Sequence, residues 1–201
     1  MSVAIGIVHG QDFTAPFVRS WTTLLRDRPL AVQGVIFAQG VAGRLDNSRN
    51  EVAARFMRRD VEWLLTIDTD IVFRAEDFDA LVASGDWANP IVTGCYFVDE
   101  KPPRLAAART EGALIKSLED WKEDALEPVD WCGAGFMLIH RSVFEAIGPN
   151  PYRQDVLAPN GDLVGEDYAF CHRAKEKGFP IMLHTGVFLG HVKPRILGWD
   201  T

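Results

Sequence analysis

The chain has 201 residues, 47% of them hydrophobic and 24% charged, with a net charge of -7 at pH 7. That length and balance describe a globular protein able to bury a core without disulfides, and they exclude disordered, collagen-like and coiled-coil classes. The acidic balance also argues against a general polyanion binder, which works by neutralising many phosphates; it suits a protein that holds one small anion with a few placed groups.

From the amino end, residues 3–9 are apolar and partly β-branched and break at Gly10, which predicts a buried first strand. Residues 13–26 carry Phe17, Trp21, Leu24 and Leu25 at helical spacing, and residues 30–38 predict a second strand ending at the turn-prone Gln39-Gly40. Ser48 followed three residues later by Glu51 is a capping-box pattern, and predicts a helix running to about Arg59 with Val52 and Phe56 inward. Residues 62–67 predict a third strand, buried on both faces by its Trp63-Leu64-Leu65 run. A short helix over 75–84 and a strand over 91–97 complete an alternation that signals an α/β fold with a mostly parallel sheet.

Beyond Pro102-Pro103 the character changes. Short strand-like pieces fall at 105–109 and 113–118, an apolar strand at 135–140 and a short helix at 142–147. Residues 148–165, rich in Pro, Asn, Asp and Gly, predict a long loop of the kind that is often functional. A helix over 166–177 is stopped by Gly178 and Pro180. With no internal repeat and no linker, the expected organisation is a single domain over residues 1–201, with halves of about 1–98 and 99–201.

Cys95, Cys132 and Cys171 are widely spaced, so they read as buried thiols of a reducing compartment rather than a zinc ribbon or disulfide frame. The sequence opens without a basic leader, and no apolar run approaches the ~20 residues that span a bilayer; the expected location is the cytoplasm.

The sharpest chemical feature is Leu64-Leu65-Thr66-Ile67-Asp68-Thr69-Asp70. In an extended segment residues i and i+2 point to one side, so Asp68 and Asp70 converge at the carboxyl end of a strand, where open α/β sheets bind ligands. Two such carboxylates repel unless a cation joins them, and hard oxygen donors suit Mn2+ or Mg2+ bridged to phosphate. The plainer alternative is a surface strand end or a helix cap. Gly165-Glu166-Asp167-Tyr168 opens a helix after the long loop, so its carboxylates are either a dipole-favoured cap or a general base at the mouth of a covered site. His191 and Lys193 lie two apart and suit a third metal ligand and a phosphate contact, against the alternative of ordinary surface residues. His184 reads as structural.

The segments 46–50, 63–70, 131–139 and 165–171, in that order, resemble GT-A glycosyltransferases, both small family-two-like enzymes and Anp1-type mannosyltransferases. The resemblance spans about residues 1–195, although residues 100–128 match no part of it. It implies a Rossmann-like GT-A three-layer sandwich with a donor half over 1–98 and an acceptor half over 99–201. It also implies a nucleoside-diphosphate sugar donor, UDP- or GDP-linked, held with Mn2+ or Mg2+. By the same resemblance the metal ligands are Asp68, Asp70 and His191, and the donor contacts His9, Gln11, Arg49, Asn50, Asp68, Thr69 and Lys193. Asp167 is the base of an inverting reaction with Glu166 beside it, and Trp131, Gly133, Tyr152 and Glu166 face the acceptor. Trp121, Trp131 and Tyr152 are candidates to stack on sugar faces. Two departures qualify this: Gln39-Gly40 stands where many family-two members read uracil with an acidic residue, and Anp1-type enzymes retain configuration.

Other readings are a nucleotidyltransferase and an inactive sugar- or nucleotide-binding module. The first lacks the glycine-rich phosphate loop after its first strand, and a dinucleotide-binding dehydrogenase fails for the same reason. The acceptor is open: a glycan, lipid, protein, small molecule or modified nucleic-acid base. The basic clusters Arg55-Arg58-Arg59 and Lys101-Arg104 make DNA conceivable but not favoured over solvated faces.

Overall fold

A computed structural model describes residues 1–10, 12–40, 44–100, 102–111, 114–158 and 161–193. The expected donor contact Gln11 and the basic residue Lys101 lie outside these. In chain order the elements are β1 (Val3–His9), α1 (Ala15–Asp27), β2 (Val32–Gln39), α2 (Leu45–Met57), β3 (Trp63–Asp68), β4 (Ile71–Val72) and α3 (Ala75–Ser84). Then follow β5 (Ile91–Cys95), β6 (Phe97–Glu100), β7 (Pro103–Leu105), β8 (Ala107–Glu111), β9 (Leu114–Ser117), β10 (Leu126–Val129), β11 (Trp131–Cys132) and β12 (Phe136–His140). The chain closes with α4 (Arg141–Ile147), α5 (Glu166–Glu176), β13 (Ile181–Phe188) and β14 (Gly190–His191).

A seven-stranded sheet in the order β10-β13-β5-β12-β3-β1-β2 forms the middle layer. β1 pairs parallel with β2 and β3, and β13 parallel with β5. β12 runs antiparallel between β3 and β5, and β10 antiparallel to β13. Most strands therefore point one way. Alternate residues of β1 feed opposite faces: Ala4 and Val8 pack with Val52 and Phe56 of α2, whereas Val3, Ile5 and Ile7 pack with Phe17 and Leu24 of α1. Helices α2, α4 and α5 cover the first face, α1 and α3 the second. This is why β1 and β3 read as nearly continuous apolar runs.

The sequence expectations place α3 at its observed bounds and the other first-half elements within a few residues. The capping box is corrected. α2 begins at Leu45, so Ser48 lies inside it and its hydroxyl donates to the Gln39 carbonyl at 2.8 Å. Glu51 instead pairs with Arg55 one turn on. Arg55 and Arg59 also donate to the carbonyls of Phe37 (2.9 Å) and Val35 (3.2 Å), capping the free edge of β2. Two of the three arginines of the first basic cluster thus blunt a sheet edge. β10 and β13 were not anticipated. Among the described residues, no helix is long and apolar enough to cross a membrane.

Candidate active site

The carboxyl ends of β1 and β3 form one rim, as parallel strands in register must. β3 stops at Asp68, and Thr69-Asp70 is a turn into β4, so the extended geometry expected to aim both carboxylates to one side does not hold. The turn is fastened on two flanks. Thr14 caps α1 by accepting from the Phe17 amide at 3.3 Å, and its hydroxyl donates to the Thr69 carbonyl at 2.9 Å. On the other flank the Val192 amide donates to the Asp70 carbonyl at 2.8 Å, continuing the short ladder of β4 with β14.

That ladder brings His191 to Asp70, with Nε2 3.1 Å from Oδ2. His191 Nδ1 lies 2.7 Å from the Phe97 carbonyl, which can only accept, so Nδ1 carries a proton and Nε2 faces the carboxylate. The hydrogen bond to Asp70 raises the imidazole pKa. Burial acts to raise the Asp70 pKa, but the His191 hydrogen bond and the charges of His191 and Lys193 outweigh it, and the net shift is downward. Lys193 is exposed and contributes through its charge.

Asp68 faces elsewhere. Its Oδ2 accepts from Arg49 Nη2 at 3.0 Å, and Arg49 Nε lies 3.3 Å from both Glu166 Oε1 and Asp167 Oδ1. The Arg49 side chain is only 4% exposed. Glu166 also accepts from Gln154 of the 148–165 segment at 3.3 Å. No side chain caps α5, whose N-cap is Gly165. The carboxylates of its first turn point at Arg49 instead of closing the helix end. Burial pushes the Asp167 carboxyl up to about 6, with Arg49 opposing and the charges of Glu166 and Asp68 adding.

Two glycines shape the floor. A Cβ on Gly133 would stand 2.1 Å from the Tyr96 hydroxyl, and one on Gly135 would stand 2.9 Å from it. Tyr96 accepts from the Gly135 amide at 3.1 Å, and the Gly135 carbonyl accepts from the Asp68 amide at 2.9 Å. The Gly133-Ala134-Gly135 turn thus seats Asp68 through backbone, and Gly133 is buried against Tyr96.

The structure therefore brings Asp70, His191 and Lys193 into one group and Asp68, Arg49, Glu166 and Asp167 into another. His9 stacks on Phe13 (5.3 Å between centroids), beside the half-exposed Phe37, at the rim of β1. Asn50 faces away, accepting from the Tyr152 amide at 2.8 Å and lining a groove with Met57, Phe144 and Pro149. Trp131 is half-buried against the core. The sugar-stacking role expected of Tyr152 is corrected: its ring is 1% exposed and stacked on Phe170 at 4.6 Å, so no face is open. Sequence reasoning missed Thr14, Tyr96 and Gln154. Gln154 carried a signal in its place in the long polar loop and Thr14 one in standing before Ala15-Pro16 as a helix N-cap pattern; Tyr96 carried none.

Among the described residues no three His, Cys, Asp or Glu side chains are grouped to hold a metal. Asp70 and His191 nevertheless fit Mn2+ or Mg2+ as a two-ligand half-site. One hard oxygen and one oriented imidazole nitrogen are present, and such ions commonly draw remaining ligands from substrate phosphate and water.

No protein-family model matches the sequence, and no curated protein matches it. Solved structures do. A197 from STIV is similar with a TM-score of 0.68 at 20% identity, covering 96% of this chain and 87% of that one. GalNAc-T7, crystallised with UDP, GalNAc and Mn2+, is similar with a TM-score of 0.64 at 14% identity. That match covers 96% of this chain but 44% of GalNAc-T7, so the chain spans less than half of it. The fold is that of a GT-A glycosyltransferase.

Proposed function

We propose that this chain is a metal-dependent glycosyltransferase that moves a sugar from a nucleoside-diphosphate donor to a hydroxyl acceptor, with inversion. The observation that carries the reading is the meeting of Asp70 and His191 at the carboxyl end of β3, within a GT-A fold. The UDP and Mn2+ of GalNAc-T7 support it by analogy of fold.

Asp70 and His191 would hold Mn2+ or Mg2+, which supplies positive charge against the diphosphate leaving group. Lys193 adds a second positive charge on the same side. The half-exposed rings of Phe13 and Phe37, with His9, offer flat apolar surface for a base. Asp167, with its raised pKa and its side chain still 23% exposed to an incoming hydroxyl, accepts the acceptor proton as the hydroxyl oxygen bonds to the anomeric carbon and the diphosphate departs with its bonding pair. Glu166 and Gln154 line the same approach. The acceptor is one hydroxyl compound; DNA is not favoured, since Arg55 and Arg59 are spent on the edge of β2.

The test is a thermal-shift panel of UDP, GDP, CDP, ADP and TDP, each with and without Mn2+. A ligand at a hundredfold excess over its dissociation constant adds about 2.7 kcal/mol of apparent stability. A shift that needs one nucleotide and Mn2+ together supports the reading and names the base. No shift with any combination overturns it.

A further inference from the structure

We infer, building on that reading, that Arg49 is a positioning residue: it ties the donor-side carboxylate Asp68 to the base-side carboxylates Glu166 and Asp167, and does not itself bind donor. A guanidinium 4% exposed has lost most of its water and must be compensated by partners. It finds them on two separate elements, Asp68 at the end of β3 and Glu166 with Asp167 in the first turn of α5. Nothing within α5 fixes those two carboxylates, because its N-cap is a glycine without a side-chain bond. Arg49 is the cation all three share.

The geometry also explains the residue type. Nη2 donates to Asp68 at 3.0 Å while Nε donates to Glu166 at 3.3 Å and stands 3.3 Å from Asp167 Oδ1 as an ion pair without a hydrogen bond, which uses two directions of one planar fork. A lysine ammonium at the same place is a single point that can meet one side only. Nη1 is buried without a hydrogen-bond partner, as is the hydroxyl of Tyr152, which interacts electrostatically with Arg49. Among the described residues the fork is held by hydrogen bonds to Asp68 and Glu166 and by the charge of Asp167. Whatever draws on Asp68 alters the grip on Asp167, so donor-side and base-side halves are mechanically joined through this one side chain.

Two measurements test this. A double-mutant cycle of Asp68→Asn with Asp167→Asn, read by denaturant unfolding, needs no substrate. We expect non-additivity of about tenfold in the unfolding constant, falling to within about twofold in an Arg49→Lys background. Additivity in the native background, or unchanged coupling with lysine, would overturn the inference. The second compares Arg49→Lys with the native chain using UDP and Mn2+ for binding and UDP-hexose hydrolysis for turnover. We expect an affinity within about threefold and turnover down about a hundredfold. Loss of affinity with turnover intact would overturn it. A native chain that ignores every nucleotide would instead sink the proposed function, and the unfolding cycle would still decide the role of Arg49.

Discussion

The two aspartates of the Asp68-Thr69-Asp70 turn share a backbone and differ in almost everything else. The Asp70 side chain is 39% exposed and meets an imidazole through one contact; Asp68 is 30% exposed and leans on a guanidinium that is 4% exposed. The charge of the partner makes the difference, since His191 is itself only 11% exposed but can lose its charge, whereas Arg49, 4% exposed, cannot. A buried permanent cation deprived of its anion is left with a desolvation cost and no return. Asp70 is therefore free to exchange its partner for a ligand, and Asp68 is committed to the fold.

Removing the buried cation breaks this contrast most severely. Arg49→Met leaves three carboxylates converging on an apolar side chain, and we expect a loss of about 3 kcal/mol or more at pH 7. The loss should shrink toward pH 5 as Asp167 protonates. Denaturant unfolding at both values checks this; a loss below about 1 kcal/mol, or one independent of pH, contradicts it.

Next in size is the direct comparison of the two aspartates. Asp68→Asn should cost about 2 kcal/mol of stability, because Arg49 loses the ionised partner at its Nη2. Asp70→Asn should cost under about 1 kcal/mol and yet abolish the manganese-dependent nucleotide shift. Equal stability losses, or a manganese response that survives in Asp70→Asn, would erase the distinction.

A smaller effect concerns pH. Burial raises the Asp167 carboxyl to about 6 in the fold, above its ordinary value of 3.8. Its stabilisation is fully present below the unfolded value and is lost as pH rises through about 6. Asp167→Asn does not titrate. The stability of the variant minus that of the native chain should therefore grow between about pH 4 and pH 6 and level off above. A difference that stays flat across that window shows that burial does not govern this group.

The fold was largely legible because its first half obeys local rules. Strands covered on both faces leave apolar runs, and residues 75–84 carry a helix that matches its prediction. The grouping of Asp70 with His191 was anticipated: the residues themselves suggest a carboxylate pair at a strand end and a histidine suited to be a third metal ligand, against an ordinary surface residue, and the family resemblance joins them. Arg49 was expected near the nucleotide, and nothing local reports that its side chain turns inward, since its three partners come from β3 and α5. Tyr96 left no trace at all. Its meaning lies in the space denied to Gly133 and Gly135, a fact of packing between distant segments. β13 carries a local signal as well, since Ile181, Leu183, Thr185 and Val187 alternate inward, although His184 and Gly186 interrupt the apolar run.

The mildest change sharpens the contrast from the core side. Tyr152 is buried against Phe170 with its hydroxyl unpartnered, beside an Arg49 Nη1 that is also unpartnered. Tyr152→Phe removes a buried polar group that makes no bond and keeps the ring stacking. The expected change is therefore neutral to stabilising by about 1 kcal/mol. If instead the variant loses 1 kcal/mol or more, a water must bridge the hydroxyl to Arg49. The buried guanidinium would then be held by more than its three carboxylates, and the Asp68 side of the comparison would extend to the core under α5.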